Sequence, residues 1–352
     1  MTTVHVTASR EYDVLIGRGL LDELGGIVRR TTKAQTAVVV AGDIVFPLCG
    51  ARAVASLERA GLRTLSCVIP HGERYKTLET YGKLLQFLSE NRLTRTDVLI
   101  ALGGGVTGDL TGFAAATYQR GMNYVQVPTT LLAAVDSSVG GKTAVDLPTG
   151  KNQVGAFYQP AAVLCDPDLM DTLPEAEFRC GTAEVIKYGM LGSAAFFESL
   201  EEHGVKAQLE DVIRTCVEMK RDIVHEDEFD RGQRQLLNFG HSFGHAVEAC
   251  SRFGILHGQA VAIGMAIITR AAVRRGDCPE AAQERLLALL KRCGLPTETD
   301  YSADALFAAL GTDKKLSGST MHLVIPEDIG RCRIEAMPLS DARELLRLGG
   351  VQ

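Results

Sequence analysis

The chain has 352 residues, 46% of them apolar and 23% charged, with a formal net charge of -6. That length allows two domains, the composition excludes a disordered chain, and the acidic balance argues against a nucleic-acid coat or a membrane-surface protein. Nine cysteines, scattered singly without a C-x-x-C pair, predict reduced, mostly buried thiols and a cytoplasmic setting. Neither a signal peptide nor an apolar run of the roughly 18–20 residues needed to span a membrane is expected.

Residues 4–6 and 12–16 read as edge strands, 20–30 as a helix, and 36–40 as a buried strand running into Ala41-Gly42-Asp43. A helix near 46–60, a strand at 64–69, a helix near 77–91 and an all-apolar strand at 97–102 continue the alternation, with further strands at 125–127 and 163–165. This β-α-β rhythm predicts a mainly parallel, Rossmann-like sheet covered on both faces. After Leu173-Pro174 the strand-like runs vanish, and helices are expected at 175–188, 194–202, 210–226, 239–251, 257–275 and 279–293, with one short strand at 322–325. The expected division is an α/β domain at 1–175 and an all-α domain at 176–352, with the active site in the cleft between them.

Three stretches carry chemistry. The turn Gly103-Gly104-Gly105 follows a strand and opens a helix predicted over 107–117. Glycines there let the backbone approach a pyrophosphate, and the helix start offers free N–H groups. It departs from G-x-G-x-x-G, and such turns are common without a ligand. Asp109 is either a capping carboxylate or a partner for a ribose or nicotinamide amide.

In the second stretch, His241 and His245 stand at i, i+4 on one helix face and His257 opens the next helix. Three histidines within 17 residues, with Glu184 as the carboxylate and Lys187 at i+3 beside it, suit a divalent metal such as zinc. Spacing does not choose between His241 and His245 as ligands. The remaining histidines, His5, His71, His203, His225 and His322, read as ordinary surface or core residues. In the third, Arg120, Lys142 and Lys151 lie among glycines and polar residues over 120–152, the lining expected for a small polyanionic substrate.

The segments Gly103-Gly-Gly-Val-Thr-Gly-Asp109-Leu-Thr-Gly-Phe113, Val127-Pro-Thr-Thr-Leu-Leu132, Val135-Asp-Ser-Ser-Val-Gly-Gly-Lys-Thr143, Gly150-Lys-Asn152, Ala183-Glu-Val-Ile-Lys-Tyr-Gly189 and Leu237-Asn-Phe-Gly-His-Ser-Phe-Gly-His245 resemble the 3-dehydroquinate synthase family. The resemblance runs from Asp43 to the loop at Asp313-Lys314-Lys315. It implies conversion of 3-deoxy-D-arabino-heptulosonate 7-phosphate to 3-dehydroquinate and phosphate in the shikimate pathway, with NAD and zinc or cobalt, in a homodimer. It implies Glu184, His241 and His257 as metal ligands, with His245 left as a hydrogen-bonding residue. Asp136, Lys142, Lys187, Asn238 and His245 would be catalytic, while Arg120, Asn152, Lys220, Arg234, Lys314 and Lys315 would bind substrate, Arg120 across the dimer interface.

The same resemblance places NAD against Asp43, Glu73, Lys76, Gly104, Gly105, Val106, Asp109, Thr129, Thr130, Lys151, Leu169 and Thr172, so that the first domain binds NAD and the second binds metal and substrate. It further implies that the substrate's own phosphate acts as the base for elimination. Gln259 stands where the family usually has Glu, which would bear on metal affinity if that position supports His257. The rival readings are another sugar-phosphate cyclase, a glycerol-dehydrogenase-like enzyme with net redox turnover, and an inactive binding protein.

Overall fold

Along the strand Thr36–Gly42, alternate residues enter two cores: Ala37, Val39 and Ala41 on one face, Val38 and Val40 on the other. A strand buried on both faces belongs inside a parallel sheet with helices on each side. The computed structural model, which describes residues 1–252, 254–310 and 320–352, has that arrangement. In chain order the elements are β1 (Thr2–Val6), β2 (Tyr12–Ile16), α1 (Leu24–Thr31), β3 (Thr36–Gly42), α2 (Ala51–Arg59), β4 (Arg63–Ile69), α3 (Leu78–Glu90), β5 (Val98–Gly103), α4 (Gly105–Thr117), β6 (Asn123–Pro128), β7 (Lys142–Leu147), β8 (Gly150–Phe157) and β9 (Ala162–Cys165).

Seven of these strands form one sheet in the order β1-β2-β9-β6-β5-β3-β4, parallel except for β1. Leu24, Ile27 and Val28 of α1 and Leu57 of α2 cover one face, and Leu84 and Leu88 of α3 with Leu110 and Phe113 of α4 cover the other. The chain steps outward from β3 to β4, then returns to the opposite side of β3 as β5. The order of strands therefore reverses between β3 and β5, and in open parallel sheets ligands bind beyond the carboxyl ends of the strands at that reversal. Asp43 and Gly104 follow those two ends directly.

The structure differs from the sequence reading in several places, among them the unexpected α11, β11 and α12 near the C-terminal end (Ala303–Leu310, Arg331–Pro338 and Ala342–Leu348). The polar stretch 142–157 is a hairpin of β7 and β8, with Val145 in the core shared by α3 and α4, so glycine and lysine there obscured a strand. The chain also divides into two compact units, residues Met1–Leu173 with Leu209–Phe229, and Pro174–Gln208 with Asp230–Gln352. Residues 209–229, expected in the second domain, thus belong to the first. Their helix buries Leu209, Val212, Ile213, Cys216 and Val217 at three- and four-residue spacing, the stripe that packs against β1, β2 and Ala133–Ser137.

The second unit is built from α5 (Glu175–Gly192), α6 (Ala194–His203), α8 (His241–Cys250), α9 (His257–Arg275), α10 (Glu280–Arg292), α11 (Ala303–Leu310) and α12 (Ala342–Leu348), α7 (Leu209–Glu226) being the helix given to the first. Among the described residues it is helical apart from one antiparallel hairpin, β10 (Thr320–Asp328) with β11 (Arg331–Pro338), and the short strand expected at 322–325 lies within β10. No described helix is long and apolar enough to cross a membrane.

Backbones in this unit touch. A Cβ on Gly264 of α9 would lie 1.9 Å from the Gly240 carbonyl oxygen and 2.7 Å from the Gly244 nitrogen of α8, and a Cβ on Gly258 would lie 2.2 Å from the Cys180 carbonyl oxygen of α5. Glycine is what lets α9 approach both helices. Gly264→Ala is expected to lower the unfolding free energy by about 1–3 kcal/mol through overpacking. Gly82→Ala, on the exposed side of α3 with nothing within 4 Å, is expected to raise it by about 0.5–1 kcal/mol. Urea unfolding of the two variants checks the pair, and equal effects would refute the close-packing argument.

Candidate active site

The close approach of α9 to α5 and α8 fixes four side chains. Gly258 rests on Cys180, one turn before Glu184 on α5, so His257 arrives beside that carboxylate. His257 Nε2 lies 3.3 Å from Glu184 Oε1, and His241 Nε2, from the first residue of α8, lies 3.4 Å from the same oxygen. Glu184 is fully buried, and Lys187 Nζ sits 2.5 Å from its other oxygen. His245, one turn along α8, has its ring 5.6 Å from that of His241 and 6.0 Å from that of His257.

The geometry suits a cation. His241 Nδ1 lies 3.1 Å from the Phe239 carbonyl oxygen and His257 Nδ1 lies 3.4 Å from Glu248 Oε1, so each Nδ1 has an acceptor for its N–H. Each Nε2 then turns a lone pair toward a carboxylate oxygen. Neither Glu184 oxygen has a well-aligned hydrogen bond, and facing lone pairs repel unless a positive charge lies among them. A tetrahedral ion with ligands at about 2.0–2.1 Å holds neighbouring ligand atoms about 3.3–3.4 Å apart, which matches the two N···O separations. Glu184, His241 and His257 present their ligand atoms within 4.8 Å of one another, as do His245, Glu248 and His257.

Electrostatics agree. Burial disfavours an ionised Glu184, yet Lys187 and His241 outweigh it and hold the carboxyl well below its usual range. Burial pushes His241 down toward the neutral form. Burial acts the same way on His257, but Glu184 and Glu248 overcome it and hold that ring up at about 9. A ring proton here occupies the place of a cation, and a metal has to displace it.

In the first unit the expected cofactor residues gather at the carboxyl ends of the strands. Gly104 is the N-cap of α4, and a Cβ there would lie 3.0 Å from Thr130 Cγ2, while one on Gly105 would lie 3.1 Å from Ser137 Oγ. Thr129 N–H donates to the Gly103 carbonyl at 3.0 Å. Val106 follows in the first turn of α4. Asp43 accepts from the His71 backbone N–H and ring Nδ1 at 3.1 and 2.7 Å, giving His71 a partner where the sequence gave it none.

Asp109 is the fifth residue of α4 and caps nothing; its carboxylate takes the buried Lys76 ammonium at 2.5 Å. Lys76 also donates to Asn152 Oδ1 at 2.6 Å, so residues expected on cofactor and on substrate form one network. Burial opposes the Lys76 charge, but Asp109 and Glu73 keep it protonated. Lys151 lies 3.6 Å from Glu73, and Lys220 of α7 reaches Asp136 at 2.5 Å. Leu169 packs in the core beside α1 and Thr172 is exposed.

The other expected residues are placed less closely together. Lys142 begins β7 and is exposed; Arg120 is exposed on a turn after α4 with φ 63°. Arg234 is buried in the short segment Gln233–Asn238 that Asn238 ends, just before α8. Lys314 and Lys315 lie outside the described residues. Gln259 does not support His257: its Oε1 accepts the Leu256 N–H at 3.3 Å and caps α9. The partner of His257 is Glu248, which sequence reasoning missed, although its i+3 spacing from His245 and i+7 from His241 put it on the same helix face.

Comparison with known proteins now decides the family. The 3-dehydroquinate synthase N-terminal and C-terminal family models match residues 66–180 and 181–316. The 3-dehydroquinate synthase of Caulobacter vibrioides is 49% identical over 337 residues, 91% of each chain, and that of Streptococcus suis is 43% identical, covering 96% of this chain and 97% of its own. The chain belongs to the 3-dehydroquinate synthase family. Among solved structures it resembles a 2-deoxy-scyllo-inosose synthase complexed with carbaglucose-6-phosphate, NAD+ and Co2+ (TM-score 0.89, 26% identity, 98% of this chain and 99% of that one). It also resembles a 2-epi-5-epi-valiolone synthase from Streptomyces hygroscopicus with NAD+ and Zn2+ bound (TM-score 0.88, 28% identity, 99% of each). A structure described as a probable glycerol dehydrogenase from Sinorhizobium meliloti, 16% identical at a TM-score of 0.69 with 96% of each chain covered, shares the fold.

Titration of zinc into the metal-free protein separates the two possible ligand sets. Glu184→Gln and His241→Ala are expected to weaken binding at least a hundredfold, and His245→Ala to leave it within a few fold. Loss on His245→Ala with retention on His241→Ala would move the site to the His245, Glu248, His257 set.

Proposed function

We propose that this enzyme converts 3-deoxy-D-arabino-heptulosonate 7-phosphate to 3-dehydroquinate and phosphate. The observation that carries the reading is the coincidence of a cation-shaped Glu184, His241, His257 cluster with family membership over nearly the whole chain. NAD would supply reversible hydride chemistry within one turnover, and a divalent ion, zinc or cobalt, would supply Lewis-acid polarisation of the hydroxyl concerned. Glu184, His241 and His257 would hold the ion; Asp43, Glu73, Lys76, Gly104, Gly105, Val106, Asp109, Thr129, Thr130, Lys151, Leu169 and Thr172 would hold the dinucleotide.

The residues' own contributions follow from their charges. Oxidising a hydroxyl to a ketone acidifies the adjacent C–H, after which phosphate leaves by β-elimination, the ketone is reduced, and the opened ring closes by an aldol step. Lys142, Lys220, Arg234 and Arg120 meet the carboxylate and phosphate of the substrate and hold it in one geometry. Lys187, fixed on Glu184, adds a positive charge where an alkoxide develops. Asp136, Asn152, Asn238 and His245 supply hydrogen bonds to hydroxyls, and Lys314 and Lys315 complete the anion contacts. Free thiols throughout support a cytoplasmic enzyme. The exposed Arg120 turn supports a homodimer in which that side chain serves the neighbouring copy.

Incubating the purified protein with the heptulosonate phosphate, NAD and zinc is expected to release one phosphate per substrate with no net growth of NADH absorbance. Glucose 6-phosphate, the sugar that carbaglucose 6-phosphate imitates, is expected to release none. NADH accumulating in step with turnover would make the protein a dehydrogenase, and phosphate from glucose 6-phosphate alone would make it another cyclase.

A further inference from the structure

The ligand set leaves a second buried carboxylate unexplained. Glu248 of α8 is 2% exposed, with Oε1 3.4 Å from His257 Nδ1 and Oε2 4.0 Å from His245 Nε2. Burying a charge is costly unless it is paired, and its position beside His257 gives it work to do. His257 stands between two carboxylates, Nε2 toward Glu184 and Nδ1 toward Glu248.

A neutral imidazole carries one N–H, and the hydrogen bond made by one nitrogen decides what the other presents. With the proton on Nδ1, the ring donates to Glu248 and turns a lone pair toward the Glu184 side. The opposite tautomer sets a lone pair against the Glu248 carboxylate and aims an N–H into the cation position. Glu248 therefore selects the tautomer able to bind metal and locks the ring plane. The Phe239 carbonyl does the same for His241, at 3.1 Å.

Glu248 could instead be a direct ligand, since its oxygen, a His245 nitrogen and a His257 nitrogen also lie within 4.8 Å of one another. The direction of His257 argues against this. The Glu184 and Glu248 contacts use opposite nitrogens of one ring, and a single imidazole cannot turn both to one ion. The His241 nitrogen converges on the Glu184 side as well.

We propose that Glu248 is a positioning residue for the metal, acting through His257 Nδ1; this rests on Glu184, His241 and His257 being the ligands. The experiment is calorimetric zinc titration of the metal-free, full-length protein as a double-mutant cycle. Glu248→Gln is expected to weaken zinc binding about 10–100-fold, the usual cost of losing a hydrogen-bonded partner of a metal ligand. In a His257→Ala background the same substitution is expected to change the affinity less than threefold, because the residue it acts through is gone. A purely structural role would weaken binding equally in both backgrounds, and that result overturns the proposal, as does undiminished affinity in Glu248→Gln. Weakening as complete as in Glu184→Gln would make Glu248 a ligand and overturns it too. If Glu248→Gln does not fold, Glu248→Asp is read in the same cycle. Zinc binding that survives His241→Ala defeats the ligand set itself, a result distinct from failure of the Glu248 cycle alone.

Discussion

Glu184 has no exposed surface, an ammonium 2.5 Å from one oxygen, and two imidazole nitrogens 3.3 and 3.4 Å from the other. An ionised carboxylate in such a place is tolerated only because positive charge surrounds it. With both rings neutral, the groups nearest one another are Glu184, Glu248 and Lys187, for a total of -2 + 1 = -1. A ring proton on His257 brings that to zero, and a divalent ion in its place brings it to +1. On the proposed ligand set, these groups would therefore carry a net positive charge once the ion is bound, the sign that suits an anionic substrate.

That charge arrangement depends on backbone contact. Lys187 reaches Glu184 within one helix, where i+3 spacing makes the pair local. The imidazoles come from two other helices and meet the carboxylate only because glycines remove the side chains that would hold α9 away from α5 and α8. The first unit solves a different problem with the same residue. Gly103 lies against Thr107 of α4, and Gly104 and Gly105 bring the start of that helix close to Thr130 and Ser137, leaving backbone N–H groups at the end of β5 where the strand order reverses.

Much of this was legible in the sequence, for physical reasons that differ by element. Strands buried on both faces are continuous apolar runs, so β3 and β5 could be read directly; α10, with an apolar stripe, and α9, apolar nearly all round, could be bounded to within a few residues. The hairpin at 142–157 could not, because its strands carry the lysines and glycines of a binding surface. Nor could the placement of α7, since a stripe of Val212, Ile213 and Val217 says that a helix packs without saying against what. In the site, the i, i+4 pair and the following histidine were visible as spacing. Which ring nitrogen faces which carboxylate is a matter of helix crossing, so Glu248 stayed hidden, and the supporting position considered at Gln259 is a helix cap instead.

The fold does not by itself name the reaction. A probable glycerol dehydrogenase at 16% identity has the same architecture with a TM-score of 0.69, and a 2-deoxy-scyllo-inosose synthase and a 2-epi-5-epi-valiolone synthase superpose with TM-scores of 0.89 and 0.88. What separates net oxidation from an oxidation that is later undone is whether the ketone, once formed, meets charges that favour loss of phosphate before it can leave. On the proposed ligand set, Lys187, 2.5 Å from Glu184, would place such a charge beside the ion that Glu184 helps to hold.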